Sequence, residues 1–371
     1  MSKFAIIIGT RAELIKTFPI MLEFQKQKIP FYFISTGQHN LQNLCETFGV
    51  KQPDVILSPP PKTSSKFNTK EAKAIRWAVE VTLKIRKELN KLPDLKFVIY
   101  HGDTLSTVCS SFGSSRFLNW NKKYKNVHLE AGLRSVGEVN PLLEPFPEEI
   151  IRRIVTFFSD ILICPSKQAK LNLKRYKNKE RYNMGNTILD SVHYASKIAL
   201  NRDLKPLDKQ FLLISIHRHE NLKSEERMKK IMEILLSLEI PSYFTLHDNT
   251  KKQLIKFGLY NKLLENKNIK IIEPMDYVSF AYQMKKCSLI ICDGGSMQEE
   301  SLIFKKPCVI LRMNTERQEG LKSNFQYLSK LNVEKTKKKI KEYLSSHFKV
   351  KQFKNPYGEI GVSKKIVKLL K

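Results

Sequence analysis

The sequence is short of acid. It carries 36 Asp and Glu against 65 Lys and Arg in 371 residues, a formal net charge of +29. No apolar run approaches the ~20 residues of a membrane-spanning helix. The apolar stretch 4–8 is too short for a signal-peptide core, and Arg11 and Glu13 follow it at once. Cysteine is scarce: Cys45, Cys109, Cys164, Cys287, Cys292 and Cys308 stand apart, with no C-x-x-C pair. That spacing gives no disulfide framework and points to a reducing cytoplasm. With 14 Gly and 16 Pro, collagen-like and low-complexity readings are excluded.

What is present is enough apolar side chain to build cores. Hydrophobic residues make up 42% and aromatics 10%, which excludes a disordered polycation. The length suits about two domains. The excess charge is mostly lysine, 51 Lys beside 14 Arg, and it runs through the whole chain, as in 121–125, 174–181 and 336–341. Arginine is the usual residue for forked recognition of phosphate and bases, whereas lysine is the usual solvated surface charge. The charge therefore reads as a basic coat and not as a nucleic-acid or anionic-membrane patch. Salt-steep DNA or lipid binding would mark that alternative.

Short apolar runs alternate with helical periodicity. Strands are expected at 4–8, 31–35, 97–100, 127–129 and 161–164, and helices at 13–27, 41–48, 69–89, 106–117 and 148–158. The pattern restarts with strands at 211–215, 242–246, 269–272, 289–292 and 308–311, and helices at 224–238, 250–257, 278–286, 297–304 and 334–346. This is α/β alternation, which predicts two Rossmann-like doubly wound parallel-sheet domains, 1–180 and 186–354, followed by a tail, 355–371, whose helix returns to the first. Such sheets bind ligands at the carboxyl ends of their strands, and two of them suggest a cleft between the domains.

The chemistry-bearing segments fall at those strand ends. Gly9-Thr10-Arg11-Ala12-Glu13 opens a helix, where unpaired N–H groups, Arg11 and Lys16 suit an anion; an ordinary βα turn is the plainer reading. Asp103 in His101-Gly102-Asp103-Thr104 is either a functional carboxylate or a helix cap. His128 and Glu130 face one side if their strand continues, so Glu130 suits acid/base work; a salt bridge to Arg134 is the alternative. Glu148, Glu149 and Arg152 begin a helix in capping order, and Glu148 and Arg152 are spaced to pair. His217, Arg218, Glu220 and Asn221 after a buried strand are hard to justify structurally, and a metal site at His217/His219 lacks any ligand signature. Gly294, Gly295 and Ser296, then Glu299 and Glu300, read as a phosphate cradle followed by acids for a ribose or sugar; a Ser-capped helix is the plain alternative. Thr315–Gly320, after Arg312, reads by itself as a salt-bridged surface turn.

Together GTRAE-LIK, HGDT, HLEAGLRS, PFPEE-x-x-R, GNT-x-x-D, HR-x-EN, DGGSMQEE, TERQEG and NPYG occur in an order and spacing that resemble the non-hydrolysing UDP-N-acetylglucosamine 2-epimerases, from Gly9 to the last helix. The resemblance implies the two-Rossmann GT-B architecture with a UDP-sugar between the domains and no cofactor or metal. It implies inversion at C2 of a UDP-N-acetylhexosamine, by loss of the C2 proton and of UDP to give a bound 2-acetamidoglucal, then re-addition. Asp103, Glu130 and Glu148 then resemble the acid/base carboxylates and His217 the catalytic or phosphate-facing histidine. Arg11 and Lys16 resemble a substrate-anchoring pair. Gly294, Gly295 and Ser296 resemble the diphosphate loop, and Glu299 or Glu300 the ribose ligand. Arg152, Arg218, Glu220, Asn221 and Arg312 are carried over as substrate contacts. Gln38, His39 and His247 resemble positions where some bacterial members bind a second UDP-GlcNAc as activator. A homodimer and a role in surface polysaccharide synthesis are further expectations. Ala12, the DGGS order and Gln318 depart from the family's GTRPE, DSGG and TERPE, which points to a divergent branch acting on a related amino sugar. A hydrolysing epimerase releasing UDP and a GT-B glycosyltransferase are the competing enzymatic readings.

Overall fold

A computed structural model describes residues 2–58, 70–140, 144 and 147–371. Thr69 and the Pro145-Phe146 of the PFPEE segment lie outside them. The elements run β1 (Phe4–Ile8), α1 (Arg11–Lys26), β2 (Phe31–Ser35), α2 (Gln42–Phe48), β3 (Val55–Ile56), α3 (Lys70–Leu89), β4 (Phe97–His101), α4 (Leu105–Gly113), β5 (Lys125–Leu129), β6 (Val136–Gly137), α5 (Glu148–Phe158) and β7 (Ile161–Cys164). They continue with α6 (Lys167–Asn172), β8 (Glu180–Asn183), α7 (Ile188–Leu200), β9 (Leu212–Ser215), α8 (His219–Leu222), α9 (Glu225–Leu236), β10 (Ser242–Thr245), α10 (Asp248–Lys256), α11 (Tyr260–Leu264), β11 (Ile269–Ile272) and α12 (Tyr277–Lys286). The last are β12 (Leu289–Cys292), α13 (Gly295–Phe304), β13 (Cys308–Ile310), β14 (Asn314–Thr315), a 3-10 turn at Gln318–Lys322, β15 (Gln326–Leu328), α14 (Val333–Leu344) and α15 (Val362–Leu370).

The chain divides into two compact units. The first comprises Met1–Leu133, Pro147–Ser191 and Tyr357–Lys371; the second comprises Arg134–Phe146 and Val192–Pro356. The first is built on a sheet in the order β3-β2-β1-β4-β5-β7-β8, with every pair parallel. Its central strands β1 and β4 are buried and mostly apolar, as a sheet covered on both faces requires. Ala5, Ile7, Val98 and Tyr100 face Trp77, Val81 and Ile85 of α3, Cys109 of α4 and Val155 of α5. On the other face α15 packs along α1.

The second unit carries a parallel sheet in the order β11-β10-β9-β12-β13-β15. The 134–146 segment adds β6, which pairs antiparallel with β14, Thr315 opposite Val136. Both parallel sheets have a switch point where strand order reverses, between β1 and β4 in the first and between β9 and β12 in the second. In open α/β sheets ligands bind beyond the carboxyl ends of the strands at such a point.

The apolar runs locate the strands well, but the edges differ. Polar β8 (Glu-Arg-Tyr-Asn) follows the 161–164 strand that the sequence pattern takes as closing the first series, and pairs parallel with β7. The helix expected over 106–117 stops at Gly113, where Ser110 and Ser114 turn their hydroxyls onto the carbonyls of Ser106 and Ser110. All six cysteines are buried. Among the described residues no helix is long and apolar enough to cross a membrane, and no cluster of His, Cys, Asp and Glu could hold a metal ion.

Candidate active site

At the switch point of the first unit, β1 delivers Gly9-Thr10 to α1. A Cβ on Gly9 would lie 1.8 Å from the Ser106 hydroxyl and 2.4 Å from that of Thr36, so only glycine fits. Thr10 and Glu13 form a capping box. Glu13 is buried and does more than start the helix. Its carboxyl group accepts from the N–H of Gly9 (2.6 Å) and of Thr10 (3.0 Å) and from the Thr104 hydroxyl, and lies 3.1 Å from the Thr107 hydroxyl, which is nearer the His101 carbonyl (2.7 Å). It thereby ties the loop after β1 to the loop after β4. Burial, the largest influence, raises its pKa despite these contacts. Arg11 stays exposed, and its N–H donates to His39 Nδ1 at 3.3 Å. Gln38, on the same loop, accepts from Ser106 (2.6 Å).

Asp103 is not the helix cap; Thr104 is, through its hydroxyl and the N–H of Thr107. Asp103 instead receives two donors of one guanidinium, Arg152 Nε and Nη2, both at 2.7 Å from Oδ2. Arg152 is buried and also reaches Glu149 at 3.1 Å. It is therefore placed as a holder of Asp103. Asp103 keeps about a quarter of its side-chain surface, 27%, open for a ligand.

The strand carrying His128 ends at Leu129, so the expected same-side pair of His128 and Glu130 does not form. His128 turns its ring to the Gly102 carbonyl (2.8 Å). Glu130 leaves the sheet with φ +63°, a conformation that costs a non-glycine residue about 1 kcal/mol or more and persists only where its surroundings fix it. Here the buried ammonium of Lys16 pairs with its carboxylate, and His101 Nε2 lies 3.7 Å away. Burial pushes His101 down to about 4, so the ring is neutral beside this ion pair at pH 7. A small cavity behind Glu130 is lined by His101, Asn186, Thr187 and Ile366. Glu148 is the first residue of α5 and half-buried.

In the second unit, β9 and β12 end side by side, Ser215 opposite Cys292. Asp293 follows at once, fully buried. Its carboxylate accepts the N–H of His217 (3.0 Å), the N–H of Arg218 (2.9 Å) and the amide of Asn221 (3.1 Å). This clamp shapes the loop that presents His217. In the sequence Asp293 is marked only as an acid directly after a buried apolar run. The His217 ring is 42% exposed and edge-on to His247 at 5.2 Å. Burial first, then His217, lowers the pKa of His247.

The helix after the glycines is not Ser-capped. Gly294 is the N-cap without a side-chain bond, and Ser296 lies within the first turn, half-buried. A Cβ on Gly294 would lie 3.1 Å from the His217 ring. The first-turn N–H groups of α13 and His217 thus share one spot suited to an anion.

Around it runs an alternating chain of charge. Arg218 meets Glu220 (3.0 Å), which faces Arg312 (3.4 Å). Arg312 meets Glu316 (3.0 Å), Glu316 meets Arg317 (2.9 Å), and Arg317 meets Glu299 (2.8 Å). Glu220 is lowered: burial opposes its charge most, but Arg218 and Arg312 together win. Thr315, Glu316 and Arg317 are buried, so the expected surface turn is an interior one. Glu300 is buried too and accepts from Tyr277 (2.8 Å). Both acids of the pair, Glu299 and Glu300, therefore have protein partners.

The family model described as UDP-N-acetylglucosamine 2-epimerase matches residues 23–371. UDP-N-acetylglucosamine 2-epimerase of Methanocaldococcus jannaschii is 34% identical over 384 residues, covering 99% of this chain and 98% of its own. UDP-2,3-diacetamido-2,3-dideoxy-D-glucuronate 2-epimerase of Pseudomonas aeruginosa is 29% identical, covering 85% of this chain and 84% of its own. The crystal structure of the M. jannaschii UDP-GlcNAc 2-epimerase in complex with UDP-GlcNAc and UDP superposes with a TM-score of 0.82 at 31% identity, covering 99% of each chain.

Proposed function

The chain belongs to the UDP-N-acetylglucosamine 2-epimerase family, and from that premise we propose that it inverts C2 of a UDP-N-acetylhexosamine, UDP-GlcNAc to UDP-ManNAc or a related sugar, without hydrolysis. One observation carries this reading. Asp103 and Glu130 stand at the ends of neighbouring strands β4 and β5, each held by its own buried cation, Arg152 and Lys16. Inversion needs a proton removed from one face of C2 and delivered to the other, so two fixed carboxylates suit it. Glu148 is the third acid/base group in this reading. The spot formed by His217, Gly294, Gly295 and Ser296 takes the departing diphosphate. Lys16 serves Glu130 in place of the substrate.

UDP-GlcNAc incubated with the protein in D2O gains deuterium at C2, read by mass of the intact UDP-sugar. Absence of exchange across UDP-GlcNAc and its 3-acetamido relatives overturns the proposal; release of free sugar and UDP moves the chain to the hydrolysing reading. Asp103→Asn lowers turnover by roughly 10²–10⁴. An unchanged rate removes Asp103 from the chemistry.

The same reading places the enzyme in the cytoplasm, making precursors for surface polysaccharide, as a homodimer. Two stripes of α3 support the last. Trp77, Val81 and Ile85 enter the core, yet Ile75, Val79 and Leu83 on the opposite side are exposed. On α5, Ile150, Ile154 and Phe157 repeat the arrangement, and α4 packs against both helices. Together these side chains leave on the order of 500 Å² of apolar surface bare, the size of patch that is often functional on a monomer. With its polar edge it suits the roughly 800 Å² that each partner buries in a stable pair. Arg76 and Glu80 give it both signs of charge, so a copy is not repelled as it is by the Lys coat. A second UDP-GlcNAc acting as activator predicts sigmoidal rates that His39→Ala makes hyperbolic.

A further inference from the structure

Helix α1 carries a proline in its interior, Pro19, between the residues that build the site and the end of the helix. Proline has no N–H, so the carbonyl of Ile15, four residues back, lacks its helical donor. The structure supplies one from elsewhere. Ser191 Oγ lies 2.6 Å from the Ile15 carbonyl, closer than the 3.0 Å to the Thr187 carbonyl on its own helix, so its single proton goes to Ile15. One turn earlier, Thr187 Oγ1 donates to the Lys16 carbonyl at 2.5 Å. Two hydroxyls at the start of α7 thus hold the backbone of α1 at the residue whose ammonium pairs with Glu130.

The GNT-x-x-D and NPYG segments, which the proposed chemistry leaves unused, complete this support. Asn186 and Thr187 line the cavity behind Glu130, and the Asn186 N–H donates to the Tyr357 carbonyl (3.0 Å). Asp190 accepts the N–H groups of Gly361 (2.5 Å) and Ser363 (2.7 Å), which seats α15 so that Ile366 closes the cavity.

We propose that Ser191 and Thr187 are positioning residues of the epimerase: Ser191 replaces the hydrogen bond that Pro19 removes, Thr187 ties down the next carbonyl, and together they fix Lys16, and through it the strained Glu130, in working geometry. The inference rests on the function proposed above. Ser191 acts through Lys16 and touches no substrate, so its loss reduces kcat and leaves KM nearly alone.

The design makes its own suppressor. Pro19→Ala returns an N–H to the Ile15 carbonyl and renders Ser191 dispensable. Four proteins are compared: wild type, Ser191→Ala, Pro19→Ala and the double variant. Each is measured by thermal melting, by kcat and KM, and by amide hydrogen exchange over α1. Ser191→Ala lowers kcat roughly tenfold, as a small misplacement does, with KM within about twofold. Its α1 amides exchange faster. Pro19→Ala alone stays near wild type, and the double variant regains both kcat and slow exchange. Thr187→Ser keeps its hydroxyl and its rate, whereas Thr187→Val does not.

A folded Ser191→Ala with wild-type kcat overturns the proposal. So does a double variant that recovers its melting temperature but not its kcat. Wild type without C2 exchange on any UDP-hexosamine refutes the function and not the scaffold, because the exchange pattern of α1 is read without turnover.

Discussion

Two buried titratable residues at the head of the first sheet pull stability in opposite directions. His101 is held neutral by burial, its pKa brought down to about 4. Above pH ~6.5 folded and unfolded chains bind no proton there. Below it the unfolded chain takes one and the folded chain does not until about 4, so stability falls as the pH drops through that window. The full loss is on the order of 3 kcal/mol. Glu13 is raised, so the folded chain keeps a proton that the unfolded one has released. That contribution is present below the ordinary 4.5 and is lost as pH rises through the folded value. His39 and His247 are also lowered, so the contribution of His101 is isolated by difference. Denaturant unfolding of His101→Asn between pH 7 and 4.5 loses about 2 kcal/mol less stability than wild type. Equal losses show that His101 keeps an ordinary proton affinity. Among single residues, the roles of Lys16 and Arg152 were the hardest to read from sequence. Both are cations near motifs, and only the fold shows that each meets a carboxylate, Glu130 and Asp103.

At the scale of elements, α15 stands on one carboxylate. Asp190, on α7, accepts two N–H groups at the start of α15, more than 170 residues further along, where Gly361 itself takes φ +101° and offers no side chain for capping. Asp190→Ala removes a cap and leaves two helix N–H groups unmet, a cost of about 2 kcal/mol. The checks are the midpoint of chemical unfolding and the rate of proteolysis at 355–361. A midpoint equal to wild type, with no new cleavage, shows that α15 is seated by its apolar face alone. Element by element, the apolar runs 4–8, 31–35 and 289–292 were legible because a doubly covered strand must be apolar on both sides. β8 and β15 were not, because an edge strand is half-exposed and its residues, Glu-Arg-Tyr-Asn and Gln-Tyr-Leu, carry no such pattern. The TERQEG segment misled for the opposite reason. Charged residues suggest a surface until neighbouring charges neutralise them, and here Arg312 and Glu299 are supplied by other segments.

For the whole molecule, the apolar outer stripes of α3 and α5 carry the prediction. Val79→Asp places a charge in the middle of the face without touching the inner stripe. Sedimentation at micromolar concentration shows a dimer for wild type and a monomer for the variant, with an unchanged melting curve of the monomer fold. A monomeric wild type overturns the assembly and leaves the chemistry standing.

The sequence by itself determined the α/β class, the two sheets and the strand ends at which the chemistry-bearing residues sit. Local apolar periodicity and the order of the motifs carry that information along the chain. Tertiary structure alone decided which charges meet. It pairs Lys16 with Glu130, Arg152 with Asp103, and Asp293 with the loop of His217. It also brings Ser191 to the carbonyl that Pro19 leaves bare. The energy of a buried charge or an unmet carbonyl depends on what lies within a few ångströms, and sequence distance does not report that. The acid that the sequence lacks is therefore less decisive than its placement. Few carboxylates are present, but those at the switch points are buried or held, each by cations or N–H groups drawn from elsewhere in its unit.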